Sequence, residues 1–415
     1  MRAVAYTACN RPDLLVIIGR FGSGFQCVFC FQRLRRMWYG YPAPVLAPCG
    51  VVRWFEGAKW SIVKMFTAAL LGYCRAVAGI NWEPCVMNLT YAVALLVGPK
   101  ELEIDRSNDL LDAIGGCEPA RCRMVVIDDS PEDRMLKDRL RFPRQVEPEF
   151  VKFNRPRRVG FKEAKGVCGN SLLGFQWIAR HAPEAAFGMK IDTDALVIAP
   201  FAQKLAREFD AAPSIGVLGA NTRTPEGHDR DIKRNAGLMK RLHARPIDML
   251  HPISLINYLK DWWRGGPVST IRKHLTEAVI AGYEYGENCL GGAYAIRQSC
   301  LAEMNQRGYL DRPEYWTPID VPEELMMHMY ARAAGFGLKN YVSPGEVFGI
   351  RFIGLPFELQ ELLDRGYSII HSVKNDKRYG ESEVREFFRA HRLKGLIGAT
   401  SDRNPEVPED YARLG

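Results

Sequence analysis

The chain has 415 residues, of which 47% are hydrophobic and 25% are charged. This composition is typical of a folded globular protein with two domains or one large α/β domain. The net charge of +8 comes almost entirely from residues 1–86, which hold ten Lys or Arg against three acids, and the nearly neutral remainder argues against a nucleic-acid surface. No apolar run is long enough for a bilayer and the start lacks the order of a secretory signal, so the sequence predicts a cytoplasmic protein without a transmembrane segment.

Residues 1–86 differ from the rest of the chain. They contain six of the eleven cysteines, and neither helical nor strand periodicity persists in them for long. Cys27 and Cys30 form one C-x-x-C pair. Because no second pair stands at a zinc-ribbon spacing, we expect reduced thiols rather than a metal or redox site. We predict that the functional domain begins at Met87 and that the upstream part is an appendage or a misassigned start, with a small accessory domain as the alternative.

Strands and helices alternate from Met87 onwards, which predicts a mainly parallel sheet with helices on both faces. The apolar run 91–97 predicts a buried strand, and the helix after it is expected to end at Gly115-Gly116. The pattern predicts further strands at 124–127, 150–153, 187–198, 215–218 and 291–296, and further helices at 172–179 and 323–334.

Two segments are expected to be additions to this sheet. Residues 222–282 are polar, rich in Lys and Arg, and predict a helical insertion that selects the acceptor. Their charge would suit an anionic acceptor or a peripheral contact with a membrane surface, and the alternative is a solvated helical face. Residues 381–415 predict a polar helical tail with a mobile end, so the central domain is expected to span 87–380.

Two predicted strands end in carboxylates, in the segments VVIDDSP and MKIDTDA. In open α/β sheets, ligands bind beyond the carboxyl ends of the strands. Asp192 and Asp194 are two residues apart, which on a strand places them on one face, where like charges are costly without a cation between them. A divalent cation such as Mg²⁺, with substrate phosphates as further ligands, would supply that charge. The alternative is that the pair caps a loop or pairs with arginine.

The order of LLVGP, VVIDDSP and AKGVCGNSLLGFQWIARHAPEAAFGMKIDTDALVI resembles family 2-like glycosyltransferases of the GT-A fold. ENCLGGAYAIR (287–297) is similar to the acceptor-side loop and strand of that family. VPEELMMHMYARAAGFGL is similar to its catalytic-base helix. The resemblance covers roughly residues 88–375 and implies a Rossmann-like, nucleotide-diphospho-sugar transferase fold.

The resemblance also implies roles on the donor side. It places Asp129 against the uracil or ribose with Asp128 beside it, although an Asx turn at Ser130 would explain one of the two equally well. It places Asn170 and Lys165 in the segment that faces the donor.

For the metal and the diphosphate, the resemblance implies that Asp192 and Asp194 bind a manganese or magnesium ion. His371 is expected to be a third ligand, with a structural histidine as the alternative. Lys374 is expected to meet the diphosphate as a point charge.

The family has Glu-Asp at the start of its base helix, whereas this chain has Glu323-Glu324. Glu324 or Glu323 is expected to remove the proton of the acceptor hydroxyl, with Asp320 in reserve. The alternative is that both acids only stabilise the first turn of the helix.

These residues together predict an inverting, metal-dependent glycosyltransferase that moves a sugar from a nucleotide-sugar, most consistent with a UDP-sugar, to a carbohydrate or other hydroxyl acceptor. Two alternatives are a sugar nucleotidyltransferase and a catalytically degenerate nucleotide- or carbohydrate-binding module. A nucleotidyltransferase would need a glycine-rich phosphate loop after the first strand, where this chain has LLVGPKELE.

Overall fold

A computed structural model describes residues 89–130, 134–152, 167–244, 266–316 and 321–401, together with four strands in residues 2–48. The chain forms two compact units, Met1–Val86 and Met87–Gly415. The first contains the antiparallel strands β1 (Arg2–Tyr6), β2 (Leu14–Phe21), β3 (Phe25–Arg33) and β4 (Leu46–Pro48), paired in chain order. The sequence interpretation contained no strand in this region.

The second unit is built on a seven-stranded sheet. Its strands are β5 (Thr90–Val97), β6 (Arg121–Asp128), β7 (Val146–Lys152), β8 (Phe187–Ile191), β10 (Ile215–Gly219), β11 (Ala293–Arg297) and β12 (Gly337–Asn340). Their order is β12-β10-β11-β8-β5-β6-β7, and only β11 runs antiparallel to its neighbours. The predicted α/β class with a mainly parallel sheet is confirmed.

Helices cover both faces of this sheet. They are α1 (Glu101–Cys117), α2 (Leu136–Arg139), α3 (Val167–His181), α4 (Ala202–Ala211), α5 (Lys233–His243), α6 (Pro267–Ile280), α7 (Gln298–Gln306), α8 (Glu323–Ala333), α9 (Leu359–Asp364) and α10 (Glu381–Ser401). No helix in the described part of the chain is long and apolar enough to cross a bilayer.

Strand β5 shows why the sheet is buried on two sides. Tyr91, Val93 and Leu95 point into the core beneath α1, while Ala92 and Ala94 point into the core beneath α3. The small alanines let α3 approach closely, since a Cβ atom at Gly174 would lie 2.7 Å from the Cβ of Ala94. An apolar strand without alternation is typical of such a central position.

Several predicted boundaries are wrong by a few residues. Helix α1 continues through Gly115 and Gly116 to Cys117, because Gly115 packs against Pro143, where a Cβ atom would come within 2.8 Å of the proline ring. The predicted strand over 187–198 is two strands, β8 and β9 (Leu196–Val197), separated by a turn. The insertion contains helices α5 and α6, and its residues 245–265 lie outside the described residues.

A second, three-stranded sheet lies at the carboxyl end of β8. It consists of β13 (Phe348–Ile350), β14 (Ile369–His371) and β9 in that order. Because Leu196 pairs with Ile370, the short strand β9 brings the end of β14 beside the turn that follows β8. Helix α10 packs against the same region through the buried residues Val384 and Phe388, so its first half is part of the core rather than a peripheral tail.

Candidate metal centre and active site

Asp192 and Asp194 lie in a tight turn directly after β8, not on a strand. The turn is closed by the amide of Ala195, which donates to the carbonyl of Asp192 at 2.9 Å. The expectation that a strand places both side chains on one face is therefore wrong. The turn nevertheless brings the two carboxylates together with the imidazole of His371, and one ligand atom from each of the three lies within 4.8 Å of the others.

His371 is oriented as a metal-ligating histidine would be. Its Nδ1 lies 2.9 Å from the carbonyl oxygen of Arg351. A carbonyl can only accept, so Nδ1 carries the proton, and Nε2 is left to face Asp194 at 3.2 Å. Metal-binding histidines usually have such a backbone partner, which fixes the tautomer. Burial acts to lower the pKa of His371, but the hydrogen bond and charge of Asp194 outweigh it and raise the pKa.

Asp194 is the most heavily supported carboxylate of the three-residue cluster. It is only 4% exposed, and its Oδ2 accepts a 2.7 Å hydrogen bond from the hydroxyl of Ser372. Lys374 lies 3.1 Å from the same oxygen. Burial acts to raise the pKa of Asp194, but His371, Lys374 and Ser372 hold it well below its usual range. The carboxylate is therefore ionised, as a carboxylate ligand of a metal must be. Lys374 reaches Asp194, and its predicted contact with a diphosphate stays a prediction.

Asp192 is partnered by a different cation, Lys190. The Lys190 ammonium is 1% exposed and lies 2.7 Å from Asp192 Oδ1. It also donates to Glu323 Oε1 at 2.6 Å and to the carbonyl of Gly291 at 2.8 Å. Burial acts to lower the pKa of Lys190, but the two carboxylates outweigh it and raise the pKa. Each aspartate of the turn thus has its own positive neighbour.

Glu323 and Glu324 are the first two residues of α8 and differ in protonation. Burial acts to raise the pKa of Glu323, but Lys190 and a hydrogen bond from Glu324 outweigh it and lower the pKa. Burial and the charge of Glu323 raise the pKa of Glu324 well above its usual range. Glu323 is therefore the ionised member and Glu324 the proton-holding member of a coupled pair. Asp320 lies outside the described residues.

The predicted nucleoside residues lie at the ends of β6 and α3. Asp128 forms the Asx turn, since its Oδ1 accepts from the Ser130 amide at 3.0 Å and its Oδ2 accepts from the Ser130 hydroxyl at 3.1 Å. Of the two adjacent aspartates, Asp129 is thus the one not used in that turn. Asn170 is 2% exposed, and its Oδ1 has no hydrogen-bond partner among the described residues. Lys165 lies outside the described residues.

The sequence interpretation missed three residues that touch this site. Lys190 gave a signal, because it is a charged residue inside an otherwise apolar strand. Ser372 and Arg134 gave none. Arg134 donates through Nη2 to Asp128 Oδ1 at 2.8 Å, and nothing in the local pattern distinguishes it from a solvated arginine.

Comparison with known proteins adds little to this geometry. No family model and no curated protein matches the chain. Among solved structures it is similar to the apo structure of WbbM, a bifunctional glycosyltransferase, with a TM-score of 0.37 and 12% identity over 75% of this chain. The chain spans 50% of the length of that structure. A likeness of this degree carries no argument about activity, so the function must be inferred from the side chains at the site.

Proposed function

We propose that the chain is an inverting, metal-dependent glycosyltransferase of the GT-A type that uses a nucleotide-sugar donor, with a UDP-sugar as the donor to test first. The observation that carries the proposal is the cluster of Asp192, Asp194 and His371 at the carboxyl edge of a mainly parallel sheet. Two carboxylates and an imidazole with a backbone-fixed tautomer are a suitable ligand set for Mn²⁺ or Mg²⁺. The carboxyl edge is where such sheets bind ligands.

When bound, a divalent cation offsets the negative charge that develops on a leaving diphosphate. The residues of the chain have three tasks around it. Asp194 and His371, held by Ser372 and by the carbonyl of Arg351, provide two preformed ligands. Asp192, whose Oδ1 is paired with Lys190, provides the third. Lys374 is 40% exposed on its side chain, so it can turn from Asp194 toward a phosphate.

Glu324 is the proposed general base. Its raised pKa gives it a high affinity for a proton, and the neighbouring Glu323 remains ionised beside Lys190. Once it is ionised, at a pH above its raised pKa, Glu324 can take the proton of an acceptor hydroxyl as that oxygen attacks the anomeric carbon. One displacement breaks the bond to the diphosphate and inverts the anomeric centre.

The loop after β5 favours glycosyl transfer over nucleotidyl transfer. A Cβ atom at Gly98 would lie 3.2 Å from the side chain of Glu103, so an acidic side chain lies against this loop. Glu103 is in turn paired with Arg106 at 2.8 Å. The loop thus has an acidic side chain against it where a nucleotidyltransferase would need a glycine-rich phosphate loop with Arg and Lys.

The proposal is tested by the release of free nucleotide from a panel of UDP- and GDP-sugars, with Mn²⁺, Mg²⁺ or EDTA, and with water or simple sugars as acceptors. We expect metal-dependent release from one donor class, its loss in Asp194→Ala, and its retention in the surface control Asp364→Ala. Release that is unaffected by EDTA, or by Asp194→Ala, would contradict the metal-dependent mechanism. A product that retains the anomeric configuration would contradict inversion.

A further inference from the structure

Arg134 has buried hydrogen-bond donors that nothing in the described part of the chain uses. Its side chain is 8% exposed and lies just beyond the end of β6. Among the described residues, Nη2 has a partner in the carboxylate of Asp128, whereas Nε and Nη1 are buried without one. A buried donor left unpaired costs about 1–3 kcal/mol, and more when it is charged. Native structures rarely tolerate this unless a ligand or an ion completes the site.

The guanidinium restricts the chemistry of that ligand. Arginine has five N–H donors and no acceptor, so the missing partner must offer acceptor atoms. Asp128 is not the partner of Nε and Nη1, because Nη2 is the nitrogen that donates to its carboxylate and the other two nitrogens have no hydrogen-bond partner among the described residues. The Asp128 carboxylate therefore holds the guanidinium of Arg134 in place. Two of the three guanidinium nitrogens, Nε and Nη1, remain for a ligand.

The position in the sheet indicates which part of a nucleotide would be the ligand. Strand β5 lies between β8, which leads to the metal-binding turn, and β6, which leads to Asp128 and Arg134. Neighbouring strands are about 4.8 Å apart, so the two strand ends are separated by about 10 Å. A nucleotide whose diphosphate lies at Asp192 and Asp194 would extend its nucleoside, not its phosphates, toward Arg134.

We propose that the buried guanidinium of Arg134 binds a carbonyl oxygen of the donor's nucleobase, with Asp128 as the residue that positions it. This inference rests on the proposed use of a nucleotide-sugar. It predicts a base-selective site, because uracil has two carbonyl oxygens and guanine has one, whereas adenine has none. Arg134 thereby determines which nucleotide-sugars the chain accepts.

The test measures binding of UMP to the full chain by calorimetry in EDTA, where the metal site makes no contribution. In Arg134→Met we expect UMP binding to weaken by about 10- to 100-fold, the effect of losing hydrogen bonds to a charged group. Arg139→Met is the matched control, since Arg139 lies five residues further on and pairs with Glu101 at the surface. It should bind UMP like the wild type. AMP and ribose 5-phosphate should bind the wild type weakly, and Arg134→Met should not change their affinity.

Three results would overturn the proposal: wild-type protein that does not bind UMP, Arg134→Met that binds UMP normally, or ribose 5-phosphate that depends on Arg134 as strongly as UMP does. The last result would mean that Arg134 binds the phosphate group of the ligand and not its nucleobase. If Arg134→Met folds poorly, Asp128→Asn replaces it, because loss of the ion pair releases the guanidinium. UMP binding should then weaken several-fold, and unchanged affinity would contradict the proposal. Because UMP binding is measured in EDTA, it persists if the metal mechanism fails and is lost if this inference fails, so the two failures are distinguishable.

Discussion

The imidazole of His371 lies against the backbone of Gly292, so closely that a Cβ atom at position 292 would come within 2.3 Å of the imidazole Cγ. Gly292 precedes β11, and its carbonyl accepts from the amide of Asp192 at 2.9 Å. One glycine thus fixes both the metal-binding turn and the proposed histidine ligand. Any other residue type would force His371 to shift, since real Cβ atoms essentially never make contacts so short.

Gly292→Ala should therefore displace His371 without disrupting the sheet. We expect metal-dependent UDP binding to weaken by about 10- to 100-fold, the usual cost of disturbing the support of a metal ligand. Gly380→Ala is the control, because a Cβ atom there meets nothing within 4 Å. Calorimetry with UDP and Mn²⁺ measures the effect. Normal binding in Gly292→Ala would mean that His371 is not a ligand.

Lys190→Met should lower turnover while donor binding persists. Without the Lys190 ammonium, the buried Glu323 carboxylate has no cation beside it and becomes protonated. The pair of glutamates can then no longer take the proton of the acceptor hydroxyl. We expect nucleotide release to fall at least about tenfold. The double variant Lys190→Met with Glu323→Gln should be no slower than the single variant, because both changes remove the same interaction.

The matched control for Lys190→Met is Lys204→Met. The Lys204 ammonium is also partly buried but, within the described part of the chain, donates to the neutral oxygens of Gly366 and Ser368. Its loss should lower the melting temperature and leave turnover unchanged. Equal turnover in wild type and Lys190→Met would refute the role of the lysine.

Glu324→Gln should slow transfer by about 10²- to 10⁴-fold, the usual contribution of a general base. The raised pKa of Glu324 adds a pH dependence. The base is protonated and inactive at low pH, so the wild-type rate should rise with pH through a pKa above the ordinary glutamate range. The glutamine variant should lack that rise. If Glu323→Gln is inactive and Glu324→Gln is active, the base is the first glutamate of the helix.

Much of the sheet was predictable because central strands such as β5 and β6 are continuous apolar runs that end in turn residues. The three side chains of the candidate metal site could be picked out because carboxylates and a histidine follow such runs. The partners of these side chains were not, since they come from distant parts of the chain. Glu323 meets Lys190 across 133 positions and Arg385 meets Thr193 across 192. Local patterns contain no information about such pairings.

Arg385 illustrates a contact of this kind with an effect on stability. It donates to the Thr193 carbonyl inside the metal-binding turn at 3.1 Å and to Asp109 at 2.6 Å, and all three residues are buried. Arg385→Met leaves a buried carboxylate with one weaker partner, so the free energy of unfolding should fall by about 3–5 kcal/mol. Arg389→Met removes the other, 54% exposed partner of Asp109 and should cost less than about 1 kcal/mol. Denaturant unfolding of both variants measures these two changes in the free energy of unfolding. Equal losses would contradict a stabilising role for the buried Arg385 at the start of α10.

We propose that Asp192, Asp194 and His371 bind the divalent cation of a nucleotide-sugar. This role is tested most directly by the calorimetric affinity of the full chain for UDP with Mn²⁺ and with EDTA, in the wild type and in Asp194→Asn. We predict that Mn²⁺ strengthens UDP binding to the wild type by at least about tenfold, a difference of about 1.4 kcal/mol. Asp194→Asn should bind UDP equally weakly in both conditions. Equal affinity of the wild type with Mn²⁺ and EDTA, or an intact Mn²⁺ effect in Asp194→Asn, would contradict the claim.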